Sequence, residues 1–373
     1  MKTAIYALSA DPITKGHLNI IQRSAKMFDK IIVAIGNNDR KKYMFEQAER
    51  KSMVQKAIKT LPKKIQESIE VQQFKGALAD FAFEHNASVI IRGLRNVNDF
   101  QAEQDLANIN KSVGSGELET CFILTEANQS AVSSSASKEI IKNHYFGDDF
   151  LPVNTKVALQ KKINNQVFIG ITGLMGSGKS HIATQLENAS KRSDVSILNL
   201  DLDLLCHEVY NEENEKFAKE REELIANFGT LERSVIGKKA FEDPLYLNVL
   251  NSIFKPVIEY QVREKSKDHE GIVLINGATI VSMGYLTKLC NNRIIMVEAT
   301  PQTRIKRCKE GRNIEEDVIE TRDKQMLTYK EQHGIINEQI QKDNFGFVIS
   351  VDNNDNKFSL KSLLSELDKK QLF

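Results

Sequence analysis

The segment "GLMGSGKS", Gly173 to Ser180, has the residue types and spacing that specify chemistry most directly. It fits G-x-x-x-x-G-K-[ST], in which glycines let the backbone curl until its N–H groups face an anion. Gly173, Leu174, Met175, Gly176, Ser177 and Gly178 would form that cradle. Lys179 would place a positive charge near the β- and γ-phosphates of a nucleotide, and Ser180 would offer a hydroxyl to Mg2+. The apolar run "VFIGITG" before the loop reads as a strand. A helix after it would point its positive end at the same anion. A chance Gly/Ser-rich turn is the alternative, and the strand and helix on either side argue against it.

Further along, "VSILNL" ends in Asp201-Leu202-Asp203. Carboxylates there would meet a substrate hydroxyl or Mg2+ at the C-terminal edge of a sheet. An Asp after a strand also commonly caps a helix, and the two roles are compatible. "TPQTRIKRCKEGRN" puts Arg304, Arg307 and Arg312 on and just beyond one helix. Such a run is ordinarily a solvated basic face, yet phosphate-loop kinases close an arginine-bearing lid over the transferring group.

A second set of anion-binding residues lies near the N-terminus. "ALSADPITKGH", Ala7 to His17, combines Gly16, which lets backbone approach a phosphate, with His17, which would donate a hydrogen bond at a helix start. A plain helix start capped by Thr14 is the competing reading. "NDRKKYMF" places Lys41 and Lys42 after a strand, and "IIRGLRNVNDFQAE" places Arg92 and Arg95 around Gly93 and Leu94. Two arginines flanking a glycine at a strand end form a natural phosphate clamp. "SAVSSSASKEI" opens a helix with Ser133, Ser134 and Ser135, where one serine would suffice as a cap.

These residues need a scaffold that brings strand ends together. Strand-like "AIYAL", "KIIVAIG", "IEVQQF", "ASVIIRG" and "ETCFILT" alternate with helix-like segments, one of which, "FEQAERKSMVQKAIKTL", is expected to carry its charges outward. Leu18, Ile21, Ala25 and Phe28 share one face of the helix expected from about His17. Such β-α alternation favours a parallel sheet with helices on both faces, whose C-terminal strand ends converge on one crevice. The pattern restarts after the polar "NNQ" at Asn164 to Gln166, which places a boundary there. Two α/β domains are expected, 1–163 and 167–373. "VDNNDNK" near the end reads as an ordinary polar turn.

Composition sets the class. The chain has 373 residues, 41% hydrophobic and 27% charged, enough for two cores and ordinary for a soluble globular protein. A net charge of +1 gives no general footprint for nucleic acid or anionic membrane, so anion recognition must be local. Cys121, Cys206, Cys290 and Cys308 have no metal-ligand or disulfide spacing, and a reducing cytoplasm is the simplest compartment. The apolar run after Lys2 is too short for a signal peptide and stops at Asp11-Pro12. A mature domain is therefore expected to begin at Met1.

With these residues in hand, Met1 to about Ile163 resembles bacterial-type phosphopantetheine adenylyltransferase, a Rossmann-like nucleotidyltransferase. Thr14 to His17 matches its T-x-G-H, Lys41 its lysine after the second strand, Arg92 to Arg95 its R-G-L-R, and Val132 to Lys138 its I-S-S-S-x-x-[KR]. The resemblance implies that His17 stabilises the α-phosphate transition state. It implies that Lys41 and Arg92 hold 4′-phosphopantetheine, with Ser9 and Leu78 lining that subsite. ATP would be bound by Gly93, Arg95, Glu103 and the Gln129–Ser135 loop, including Ser130. Ala10, Thr14, Gly16 and Leu94 complete the expected contact set. The loop departs from the family where Leu8 replaces a Gly and Ala10 a Phe.

From about Val167 onward the chain resembles dephospho-CoA kinase, through the phosphate loop, the Asp pair, "NFG…LER…AF", the Arg-rich segment and "FVISVDNN". By that resemblance Asp203 is the base on the ribose 3′-hydroxyl, Arg307 reaches the phosphates, and Mg2+ and ATP are required. Lys255, Asn276, Ala278 and Ser282 depart from the family, Asn276 standing where a carboxylate is usual.

Together the resemblances imply the last two steps of coenzyme A synthesis, with ATP, 4′-phosphopantetheine and dephospho-CoA as small-molecule partners. A homo-oligomer through the N-terminal domain is also implied, and neither nucleic acid nor membrane is expected as a partner. Two alternatives stay open: a nucleotidyltransferase for another phosphate acceptor fused to a nucleotide kinase, and an adenylyltransferase whose C-terminal half only senses nucleotide.

Overall fold

The computed structural model describes residues 2–38, 41–95, 97–114, 117–126, 133–191, 195–354, 358–370 and 372. The chain divides into two compact units, Met1–Ile163 with Gln341–Phe345, and Asn164–Ile340 with Gly346–Phe373.

In the first unit, β1 (Thr3–Leu8), β2 (Lys30–Ile35), β3 (Ile69–Gln73), β4 (Val89–Leu94) and β5 (Glu119–Leu124) form one sheet in the order β3-β2-β1-β4-β5. Every pairing is parallel, with Tyr6 opposite Val33 on one side and Ile91 on the other. Central strands covered on both faces need near-continuous apolar sequence, and "TAIYAL" and "KIIVAI" supply it. Side chains alternate between two cores. Ala4, Tyr6, Ile31 and Val33 pack with Ile21, Val54 and Ile141, while Ile5, Ala7, Ile32 and Ala34 pack with Ala79, Phe81 and Ala82. The strand order reverses between β1 and β4, and that switch point opens a crevice at their C-terminal ends.

The second unit repeats the logic. Strands β6 (Gln166–Thr172), β7 (Ile197–Asp201), β8 (Gly271–Asn276), β9 (Arg293–Glu298) and β10 (Phe347–Asp352) run parallel in the order β10-β9-β6-β8-β7. Val167, Ile169 and Ile171 of β6 anchor one core with Ile182, Leu186 and Ile295. Among the described residues no helix is long and apolar enough to cross a membrane.

The first helix differs from expectation at its start. It spans Lys15–Ser24, two residues ahead of His17, because Thr14 supplies the cap. The charges of "FEQAERKSMVQKAIKTL" are not all outward either. Arg50 lies with Met53, Val54 and Ala57 on the buried side of helix Gln47–Ile58.

One buried cation closes the first unit. Lys156, on helix Val153–Asn164, is fully buried, with its ammonium 2.5 Å from Asp148 Oδ1. Removing the carboxylate would take the ion-pair partner from that buried charge. Asp148→Ala is therefore expected to cost about 2 kcal/mol of stability, less than a fully buried pair because Asp148 keeps some solvent. Exposed Asp149→Ala should stay within about 0.5 kcal/mol of wild type. Urea unfolding of both variants reads the difference.

Candidate active sites

A cleft of about 680 Å³ opens at the C-terminal ends of β1, β2 and β4. Ser9, Ala10, Thr14, Gly16 and His17 line it from the loop after β1, and Lys41 from the loop after β2. Leu78, Arg92, Gly93, Arg95 and Glu103 line it further round, and Ser133, Ser134 and Ser135 stand at the start of helix Ser134–Lys142. The parallel topology thus brings together residues up to about 125 positions apart in sequence. The Leu94 side chain is buried at the end of β4, and Leu94 is not among the residues lining the cleft. Gln129 and Ser130 lie outside the described residues.

His17 is held by the helix it begins. The Thr14 N–H donates to His17 Nδ1 at 3.0 Å, Thr14 Oγ1 lies 2.9 Å from the same nitrogen, and the His17 N–H donates to Thr14 Oγ1 at 3.4 Å. This is a capping box with histidine in the place usually taken by Glu or Gln. Because Nδ1 accepts a backbone N–H, the neutral ring carries its proton on Nε2. Burial, aided by the nearby Arg95 charge, lowers the imidazole pKa to about 4. His17 is therefore a neutral hydrogen-bond donor at ordinary pH. Sequence reasoning set the capping role and the ligand role against each other, and the structure gives capping to Thr14 and Nδ1 and leaves Nε2 as the ring's donor.

Arg92 and Glu103 form a two-pronged ion pair, through Arg92 Nε to Glu103 Oε2 and Arg92 Nη2 to Oε1 at 2.7 Å. Arg92 Nη1 also donates to Ala7 O at 3.2 Å, which fixes the guanidinium at the end of β1. The three serines divide their tasks. Ser133 Oγ caps Ala136 N at 2.9 Å, and Ser134 Oγ donates to Pro12 O at 2.8 Å. Ser135 is exposed. Ala10 is buried with φ of +47°, a left-handed conformation that a non-glycine side chain adopts at a cost. Asp11, missed from sequence, accepts from the Met44 and Phe45 amides at 3.0 Å each and pairs with Lys138 at 2.5 Å.

In the second unit the loop after β6 curls as its glycines allow, and helix Lys179–Ser190 begins directly from it. Gly178, at φ +92°, caps that helix; a Cβ there would sit 2.3 Å from Asn353 Nδ2. Asn353 Nδ2 donates to Ser177 O at 2.7 Å, and Arg307 Nη1 donates to the same carbonyl at 3.2 Å. Arg307 Nη2 reaches Asn353 O at 2.7 Å. The "VDNN" segment, expected to be an ordinary turn, therefore braces the loop. Arg304, expected on a solvated face, is also a correction. It is buried, paired with Asp323 on helix Glu316–Gln325, and donates to Met175 O at 3.2 Å. The side chain of Arg312 lies outside the described residues.

Asp201 Oδ1 accepts from Asp203 N at 2.9 Å, so Asp201 caps helix Leu202–His207 and Asp203 stays exposed. Asn276 ends β8 beside Asp201. Its amide nitrogen lies 3.3 Å from Asp201 Oδ2 and 3.4 Å from Ser180 Oγ, and its buried Oδ1 has no hydrogen-bond partner among the described residues. Ser180, Asp201 and that orphan oxygen are hard donors clustered at a strand end.

Two parallel sheets, each with anion-binding loops at its C-terminal edge, define an enzyme that works on nucleotide phosphates. Comparison with known proteins narrows the class. The family described as Cytidylyltransferase-like matches residues 6–140, and the family described as Dephospho-CoA kinase matches residues 167–344. Phosphopantetheine adenylyltransferase of Clostridium botulinum is 42% identical over 166 residues, 44% of this chain and 98% of that protein. The enzyme of the same name from Nautilia profundicola is 45% identical over 145 residues, 39% of this chain and 89% of its own length. The crystal structure of TT1252 from Thermus thermophilus is 23% identical and covers 54% of this chain and 98% of its own, with a TM-score of 0.40. The chain belongs to the phosphopantetheine adenylyltransferase family through its N-terminal half, and a dephospho-CoA kinase domain follows.

The state of His17 is directly measurable. Its imidazole is expected to titrate at about 4, followed by NMR of the ring against pH. Because the folded pKa lies below the unfolded value of about 6.5, the unfolded chain takes the proton first. The stability contribution of His17 is complete above about 6.5 and is lost as pH falls toward 4. A midpoint near 6.5 in the folded protein would contradict the buried, Nε2-protonated ring.

Proposed function

We propose that the protein catalyses the last two steps of coenzyme A synthesis. The first transfers adenylyl from ATP to 4′-phosphopantetheine, and the second phosphorylates the ribose 3′-hydroxyl of dephospho-CoA. The observation that carries the first step is the convergence of His17, Lys41, Arg92, Arg95 and the Ser133–Ser135 helix start on one cleft. A phosphate loop beside a strand-end aspartate pair supports the second.

Adenylyl transfer needs no protein nucleophile. An oxygen of the 4′-phosphate attacks the α-phosphorus of ATP, and the bond to the β-phosphate oxygen breaks to release pyrophosphate. Lys41 and Arg92 hold the acceptor phosphate, with Ser9 and Leu78 beside it. Arg95, Gly93, Glu103 and the serines hold ATP. His17 donates from Nε2 to the charge growing on the α-phosphate, and its neutrality lets it do so without itself losing a proton. The site works by positioning and charge.

In the second step the 3′-hydroxyl oxygen attacks the γ-phosphorus of ATP, the bond to the β,γ-bridging oxygen breaks to release ADP, and the hydroxyl proton passes to Asp203, whose exposure at the strand end leaves it open to substrate. Lys179 and Arg307 offset charge on the transferring group. Among the described residues no three His, Cys, Asp or Glu side chains group to hold a metal alone. The oxygens of Ser180 and Asp201 nonetheless suit Mg2+, which commonly takes few protein ligands and completes its shell with phosphates and water. Bound there, it would neutralise phosphate charge. The reading includes a cytoplasmic protein, in keeping with the free thiols of Cys121, Cys206 and Cys308.

It also includes self-association through the first unit. Leu106, Ile109 and Val113 are exposed at helical spacing on helix Val97–Val113. Light scattering should give a mass above one copy; a monomer would remove this part of the reading.

The full chain with ATP, Mg2+ and 4′-phosphopantetheine should yield dephospho-CoA and then CoA by mass spectrometry. His17→Ala should slow only the first step, by about 100-fold or more. Lys179→Ala should block only the second. Dephospho-CoA accumulating in the wild type without CoA would leave the kinase domain a nucleotide sensor. Adenylylation of another acceptor, with phosphopantetheine inert, would favour a different nucleotidyltransferase.

A further inference from the structure

Arg50 is among the largest fully buried side chains, and no carboxylate bridges to it among the described residues. Its partners are neutral oxygens. Nε donates to Phe45 O at 3.1 Å, Nη1 to Gly36 O at 3.0 Å and to Ser9 O, and Nη2 to Asn37 Oδ1. Three of these are backbone carbonyls, so the guanidinium fixes main chain rather than side chains. Its rigid fork ties the loop after β1, which bears Ser9, to the loop after β2, which bears Lys41.

Tyr43 covers this guanidinium. The Arg50 carbon CZ lies 4.2 Å from the ring centroid, a cation–π geometry that offsets part of the cost of burial. The Tyr43 hydroxyl accepts from Asn38 N at 2.7 Å and lies 3.4 Å from Ser9 Oγ. Asn38 O in turn accepts from Lys41 N at 2.8 Å. The chain of contacts runs from a buried cation through a ring to both loops. Tyr43 lines the cleft beside Ser9 and Lys41, whereas Arg50 does not line it.

We infer that Arg50 and Tyr43 form a positioning unit that sets the spacing between Ser9 and the Lys41 loop, and so governs affinity for the phosphate acceptor rather than for ATP. The inference rests on the proposed assignment of Ser9, Lys41 and Leu78 to the acceptor. Among the described residues neither Arg50 nor Tyr43 hydrogen-bonds to Ser133, Ser134 or Ser135, the helix start assigned to ATP.

The test is steady-state kinetics of the full chain, varying 4′-phosphopantetheine and ATP separately. Tyr43→Phe keeps the ring and loses the hydroxyl. It should raise the KM for 4′-phosphopantetheine about threefold, with kcat and the KM for ATP within about twofold of wild type. Tyr43→Leu loses the ring as well and should raise it about tenfold, as should Arg50→Lys, which keeps charge without the fork. Conversion of dephospho-CoA to CoA by the same chains should be unchanged, and the retained kcat and KM for ATP in adenylyl transfer show that the first unit is folded. An unmoved acceptor KM in Tyr43→Phe and Tyr43→Leu, or a parallel rise in the KM for ATP, would overturn the inference alone. A wild type that makes no dephospho-CoA would overturn both this inference and the assignment beneath it.

Discussion

A single buried carboxylate, Asp11, holds the first active site in shape. It accepts from two backbone amides at Met44 and Phe45 and pairs with Lys138. These contacts join the histidine loop, the end of the lysine loop and the helix that the serines begin. A carboxylate taken out of water is tolerable only when fully hydrogen-bonded, so the three segments are held where they meet it. The polar face presented to ligand follows from that tie. His17 sits six residues on, in the first turn of the helix that follows, with its tautomer already chosen by Thr14.

The second unit solves the same problem with cations. Arg304 and Arg307 donate to carbonyls of the loop after β6, at Met175 and Ser177, and Asn353 adds a second bond to Ser177. Engaging the carbonyls from outside leaves the curled backbone free to turn its amides inward. Both sets of loops are therefore braced by the chain's own contacts, an arrangement that lowers the reorganisation a charged ligand would require.

The architecture was largely legible in the sequence. Apolar strands alternating with amphipathic helices announce parallel sheets, and the motifs fall at strand ends because parallel topology leaves them nowhere else to converge. The candidate residues at the first cleft, apart from Leu94 and the undescribed Gln129 and Ser130, share one lining. What escaped was the bracing. Asp11 read only as the polar end of the first apolar run, and its burial depends on amides and a lysine that lie far along the chain. Arg50 carried a usable signal: a charge at i with Met53, Val54 and Ala57 at i+3, i+4 and i+7 stands on an apolar face. Asn353 gave none, since its role depends on a carbonyl 176 positions away. Arg304 and Arg307 are three apart on one helix, and only the packing shows that Arg304 is committed to Asp323.

The central claim is that one chain makes two chemically different uses of ATP in sequence. Isotopic labelling separates them. With ATP labelled at the α-phosphorus, label should pass into dephospho-CoA and remain in CoA. With ATP labelled at the γ-phosphorus, label should enter CoA at the 3′-phosphate and otherwise appear in pyrophosphate and not in dephospho-CoA. The account predicts CoA carrying one phosphorus from each position. CoA absent from the γ-labelled reaction, or α-label retained wholly in ATP, would contradict it.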